Sequence, residues 1–156
     1  MQAHCENIYK IARKSAGLTQ IQAAEAINVS VRSLADYETG VTIPPDDVVC
    51  RMIEAYRAPW LGYEHLKYST AVGQKYLPDI KFSDLARAVL RFQKEVKDLE
   101  SVDRTLIEIA CDGEVDETEK PKWREVTKEV EDVVSAALAI LFTETQKEKA
   151  LMARAI

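Results

Sequence analysis

RKSAGLTQIQAAEAINVSVRSLADYETGVTIPP, from Arg13 to Pro45, decides how this chain folds. Helix stop and start signals alternate through it at short range. Gly17 stands where a helix C-terminus needs a left-handed residue, and Thr19 is an N-cap for a helix over Gln20 to Ile27. Asn28, which tolerates positive φ better than any residue but glycine, ends that helix. Ser30 caps a third helix running to about Thr39, with Gly40 as its stop. Between these signals, small or apolar residues fall at Ala23, Ala24, Ile27, Val29, Leu34 and Tyr37. The spacing predicts two short helices meeting steeply around the small side chain of Ala24, where a larger one would drive them apart. The third helix is then left protruding.

On the N-terminal side, Glu6 to Ala16 places Ile8, Ile11 and Ala12 on one helical face, giving a first helix. On the other side, Pro44 and Pro45 break the chain. Pro45 suits the first turn of a fourth helix, Asp46 to about Tyr56, with two acids at its positive end. A fifth helix is expected around Trp60 to Lys67. Residues 69–81 contain Gly73 and Pro78 and show no period, which reads as a linker between a domain over 1–68 and a second region over 82–156.

The second region is built on two stripes. Leu85, Val89, Phe92, Val96 and Leu99, then Leu106 and Ala110, recur at steps of four and three, with Asp103 at the one polar step. After an acidic turn around Gly113, Trp123, Val126, Val130, Val133, Ala137 and Ile140 repeat the pattern. A short connection between two long helices makes them antiparallel neighbours, so a helical hairpin is expected, with Thr143 to Ile156 as a possible extension. The expected fold is all-α: a five-helix domain followed by a long antiparallel hairpin. Only five Gly and five Pro in 156 residues, and 47% hydrophobic residues, agree with a helical chain that has a core.

Charge is placed unevenly. The formal net charge is −5. Residues 1–70 carry seven Lys and Arg against eight Asp and Glu, while residues 71–156 carry fourteen against eighteen. The N-terminal domain is therefore nearly neutral, and any attraction for phosphate must come from local placement and from two copies acting together. The longest apolar stretch, Val133 to Phe142, is far too short to span a membrane, and the N-terminus has no signal-peptide core, so a cytoplasmic protein is expected. Cys5, Cys50 and Cys111 lack metal-site spacing and read as reduced, mostly buried thiols.

The quoted stretch, with its small Ala24 and its Gly40 stop, resembles the phage-repressor and Cro type of helix-turn-helix, the XRE family, over roughly residues 6–67. The resemblance implies a DNA-binding transcriptional regulator, a repressor, whose third helix enters the major groove of double-stranded DNA. By position it implies that Ser30, Val31, Arg32 and Asp36 face base edges or nearby phosphates, with Ser33 on the flank. Arg32 suits guanine and Val31 a thymine methyl. Gln20, with Thr19 before it, would meet phosphate at the positive end of the second helix. Apart from the resemblance, Lys10 and Lys14 are candidates for exposed phosphate contacts or for ordinary solvated lysines. Arg13 and Glu38 resemble the family's buried ion pair. Departures from the family pattern bear on readout: Val31 and Ala35 replace polar side chains, and Asp36 and Asp46 are acids where phosphate would repel them. The second region resembles, more loosely, segments of small prophage-type regulators.

Other motifs lead away from chemistry. The stretch from Cys111 to Glu119 resembles the second half of an EF-hand loop, but Glu108 and Ala110 fall where its first ligands belong, so an acidic helix–helix turn is expected, capped by Asp116 or Thr118. His4 and His65 have no ligand spacing and no acid/base partner in the sequence, and no P-loop, GxGxxG, HExxH or nucleophile elbow is present. An enzyme is not expected, nor a cofactor. The hairpin is expected to form a homodimer, to bind a protein or small-molecule effector, or to bury its stripes within one chain. The competing reading is a protein-interaction adaptor, such as an antitoxin-like partner, with secondary DNA binding.

Overall fold

The computed structural model describes residues 7–143, and these are helical throughout, with no strand among them. They form two compact units divided between Leu77 and Pro78. The first holds α1 (Ile8–Ser15), α2 (Gln20–Ala26), α3 (Val31–Thr39), α4 (Asp46–Tyr56), α5 (Trp60–Ser69) and α6 (Ala71–Tyr76). The second holds α7 (Leu85–Ala110) and α8 (Lys120–Leu141). No helix among the described residues is long and apolar enough to cross a membrane.

The helix boundaries follow the local chemistry. Asn7 caps α1 through its side chain, which accepts from the Tyr9 N–H, so the helix starts two residues later than Glu6; Glu6 itself lies outside the described residues, as do Cys5, His4 and residues 144–156. Thr19 and Gln22 form a reciprocal capping box at α2. Asn28 takes φ 54° and Gly40 φ 75°, the left-handed values that end α2 and α3. Tyr9, Ala12, Ala23, Ala24, Ile27, Leu34, Val48, Val49, Met52 and Leu61 bury together. With Ala23 and Ala24 both essentially inaccessible, α2 and α3 approach closely over a small contact.

Two expectations are corrected here. Residues 71–76, read from the sequence as part of an irregular linker, form α6. Thr70 caps it by accepting from the Gly73 N–H, and Gly73 lies so close to α5 that a Cβ there would stand 2.1 Å from the Leu66 carbonyl oxygen. Six residues are too few for a period to show in sequence. The thiols also differ: Cys50 and Cys111 are exposed rather than buried, because Cys50 lies on the outward side of α4 and Cys111 closes the solvent end of α7.

The hairpin is antiparallel, but its seam is rotated from the expected one. Leu85, Val89 and Val130 are exposed, whereas Ala88, Glu95 and Ile109 of α7 and Val126, Ser135, Ala136 and Ala139 of α8 are buried. Phe92, Val96, Leu99, Leu106, Trp123 and Val133 are half-buried. Alanines at Ala88, Ala136 and Ala139 let the helix axes come close, and close approach wins over burial of the larger side chains at the expected positions. Glu95 is kept buried by Arg91 at 3.6 Å and Lys94 at 3.3 Å. Asp116 organises the turn by accepting from the N–H groups of Thr118 and Glu119.

Candidate functional site

The exposed end of α3 is built from its cap outward. Ser30 stands in extended backbone, and its hydroxyl accepts from the Ser33 N–H at 2.9 Å while pairing with the Ser33 hydroxyl at 2.8 Å. This fixes the first turn, leaving Ser30, Val31 and Arg32 exposed, with Val31 at 42%. Ser33, Ala35 and Asp36 are half-buried on the flank, and Leu34 and Glu38 point into the unit. A β-branched side chain left exposed beside an exposed arginine forms an apolar and cationic edge at a positive helix end.

At the other end of α3, next to Glu38, lies the start of α2, where Thr19 is exposed and its hydroxyl accepts from the Gln22 N–H. Lys14 is exposed at the end of α1. Gln20 is placed differently from its expected outward role. Its amide donates to Glu38 Oε2 at 2.9 Å, so in the free protein the side chain is held inward and the α2 end offers its backbone N–H groups.

Glu38 also accepts two hydrogen bonds from Arg13, at 2.5 and 2.9 Å, and Arg13 donates a third to the Leu18 carbonyl at 2.7 Å. The pair locks α1 to the end of α3 and to the loop before α2. Burial works to raise the Glu38 carboxyl, but the hydrogen bonds from Arg13 and Gln20 more than offset it and hold it below the usual carboxylate range. The hydrogen bond to Glu38 likewise pushes Arg13 up. Arg13 is therefore neutralised internally and adds little to the outer field.

Several supports were not legible beforehand. The Asn7 amide donates to the Tyr37 carbonyl, and Arg51 donates to the Ile27 carbonyl at 2.8 Å, tying α1 to α3 and α4 to the end of α2. His65, which has no partner visible in the sequence, is buried between Tyr9 at 2.8 Å and Asp46 at 3.0 Å. Asp46 can only accept, so Nε2 carries a proton. Burial raises the Tyr9 phenol to about 12. These links join residues 19 to 56 positions apart, and nothing in local spacing signals them.

Elsewhere, Glu95, Glu129 and Asp132 bring carboxylate oxygens within 4.8 Å of one another across the hairpin. Arg91 and Lys94 reach Glu95, and Lys128 reaches both Glu129 and Asp132, so each carboxylate of the cluster already has a cationic partner.

Comparison with known families agrees with this geometry. A helix-turn-helix model, HTH_3, matches residues 10–60, about a third of the chain, and that span covers α1 to the start of α5. The chain has no match among curated proteins or among solved structures.

Proposed function

We propose, from the premise that residues 10–60 are a helix-turn-helix domain of the XRE type, that this DNA-binding regulator is a repressor acting as a dimer on a palindromic operator. The observation that carries the reading is the exposed first turn of α3, held by the Ser30 cap over a closely packed α2. In this reading Arg32 reads guanine through its planar fork and Val31 packs on a thymine methyl. Ser30 and Ser33 fix the register, and Asp36 limits readout to the first turn by repelling phosphate. Thr19, Lys14 and the first N–H groups of α2 hold phosphate, and Gln20 joins them by exchanging Glu38 for a phosphate oxygen.

A nearly neutral domain with so few base contacts discriminates weakly alone. Two copies joined through the region over 82–156 would place two recognition helices one helical turn apart and let their contacts add. That region also supplies the surface for any protein or small-molecule effector. The protein then acts by binding, in the cytoplasm, without chemistry on a substrate.

The test is binding of the full chain to duplexes from its own promoter region and to unrelated duplexes across a salt series. The expected result is salt-sensitive binding to all duplexes with a tighter preferred one. Absence of salt-sensitive binding to any duplex would replace this reading with that of a protein-interaction adaptor.

A further inference from the structure

We infer that one side of the α7–α8 hairpin is the surface on which a second copy of this chain docks, completing a four-helix bundle. This rests on the dimeric reading above and specifies it. Successive residues of a helix advance by about 100°. Measured from buried Glu95, the α7 residues Leu85, Val89 and Ile107 therefore lie about 80–120° around the helix. Measured from buried Ala136, the α8 residues Val130, Val134 and Leu141 lie about 120–160° around in the same sense. In an antiparallel pair, equal rotations on the two helices come out on the same side of the plane that contains both axes. The six side chains thus share one side, and they are 37–74% exposed. The opposite side of α7 carries Arg87, Lys94 and Asp98.

The hairpin alone does not enclose a core. Its fully buried apolar side chains on the two helices are three alanines with Ile109 and Val126, while larger ones such as Phe92, Leu99, Leu106 and Trp123 are only half-buried. With α7 of 26 residues and α8 of 22, the shared side is about 33 Å long and, for two adjacent helices, about 20 Å wide. That is about 650 Å² per copy and about 1,300 Å² in total, within the roughly 1,200–2,000 Å² of specific protein–protein interfaces. Self-pairing suits such a patch, because a twofold axis sets the same apolar side against itself. By the same count Asp103 and Glu100 lie about 80° and 140° around α7, so the middle of this side is polar, where they line an open groove with Val96 and Leu99.

The experiment is sedimentation equilibrium of the full chain, as wild type and as V89E, V134E, V134Q and L90E, with far-ultraviolet circular dichroism on each. All three positions substituted are exposed, and Leu90 lies off the proposed side as a control. The expected result is a micromolar wild-type dimer. V89E and V134E raise its dissociation constant at least about tenfold with helicity kept, V134Q raises it less, and L90E leaves it unchanged. A wild-type dimer unaffected by V89E, V134E and V134Q would overturn the assigned surface while leaving dimerisation standing. A monomeric wild type, with or without bound duplex, would overturn both and assign this side to another occupant, such as residues 144–156 or a different protein.

Discussion

Gln20 and Glu38 are joined by a 2.9 Å hydrogen bond that ties the first residue of α2 to the last full turn of α3. The same carboxylate holds Arg13, so the side chain proposed to meet phosphate shares a partner with the ion pair that fixes α3. Gln20→Ala should therefore have two effects. Unfolding by urea should show a loss of about 1 kcal/mol, the worth of one hydrogen bond, and affinity should fall by a similar factor for preferred and unrelated duplexes alike. Unchanged stability would show that the bond carries no weight in solution.

Glu38 should make folding sensitive to acid. Its folded-state carboxyl is held below the usual range, so the unfolded chain, titrating near 4.3, takes up the proton first. The stability that Glu38 contributes is fully present above about pH 5 and is lost as pH falls through the folded-state value. Glu38→Gln should flatten the slope of unfolding free energy between about pH 5 and 3, and at pH 7 should cost about 3 kcal/mol by leaving Arg13 with an uncompensated buried charge. An identical slope in the variant would contradict this.

Tyr56 offers the opposite case. Burial pushes its phenol up to about 12, and its hydroxyl is buried without a hydrogen-bond partner among the described residues. Removing an unsatisfied polar atom relieves a desolvation cost, so Tyr56→Phe should leave the melting temperature unchanged or raise it, by up to about 1 kcal/mol in stability. A clear loss would reveal a partner for the hydroxyl in solution.

Gly73 sets how closely α6 lies on α5. A methyl group there would meet backbone at Leu66 and Lys67, which cannot rotate away. Gly73→Ala should therefore cost about 1–3 kcal/mol in denaturant unfolding, despite alanine's better helix propensity. A stabilised variant would show that α6 moves freely.

How much of this was legible in sequence follows from range. Thr19, Asn28, Ser30 and Gly40 act within four residues of themselves, so the helix starts and stops around α2 and α3 could be read directly. Arg13 with Glu38 was accessible only through the family resemblance, because 25 residues separate them. The contacts of Gln20, His65 and Arg51 were hidden, since each depends on which helix the fold brings alongside. The hairpin stripes were found, but period alone cannot rank Ala88 over Leu85 as the buried position. Small side chains that allow close approach carry little hydrophobic signal, although they decided the seam.

The central claim is that the first turn of α3 reads DNA sequence through Arg32 and Val31. Selection of bound duplexes from a random pool, run in parallel for wild type and Arg32→Ala, tests it most directly. The account predicts that wild type enriches a palindrome with half-site centres about one helical turn apart, and that Arg32→Ala loses preference at one symmetric base pair, worth about 1–3 kcal/mol. Enrichment of no sequence by wild type, or of the same sequence equally by both proteins, would contradict it.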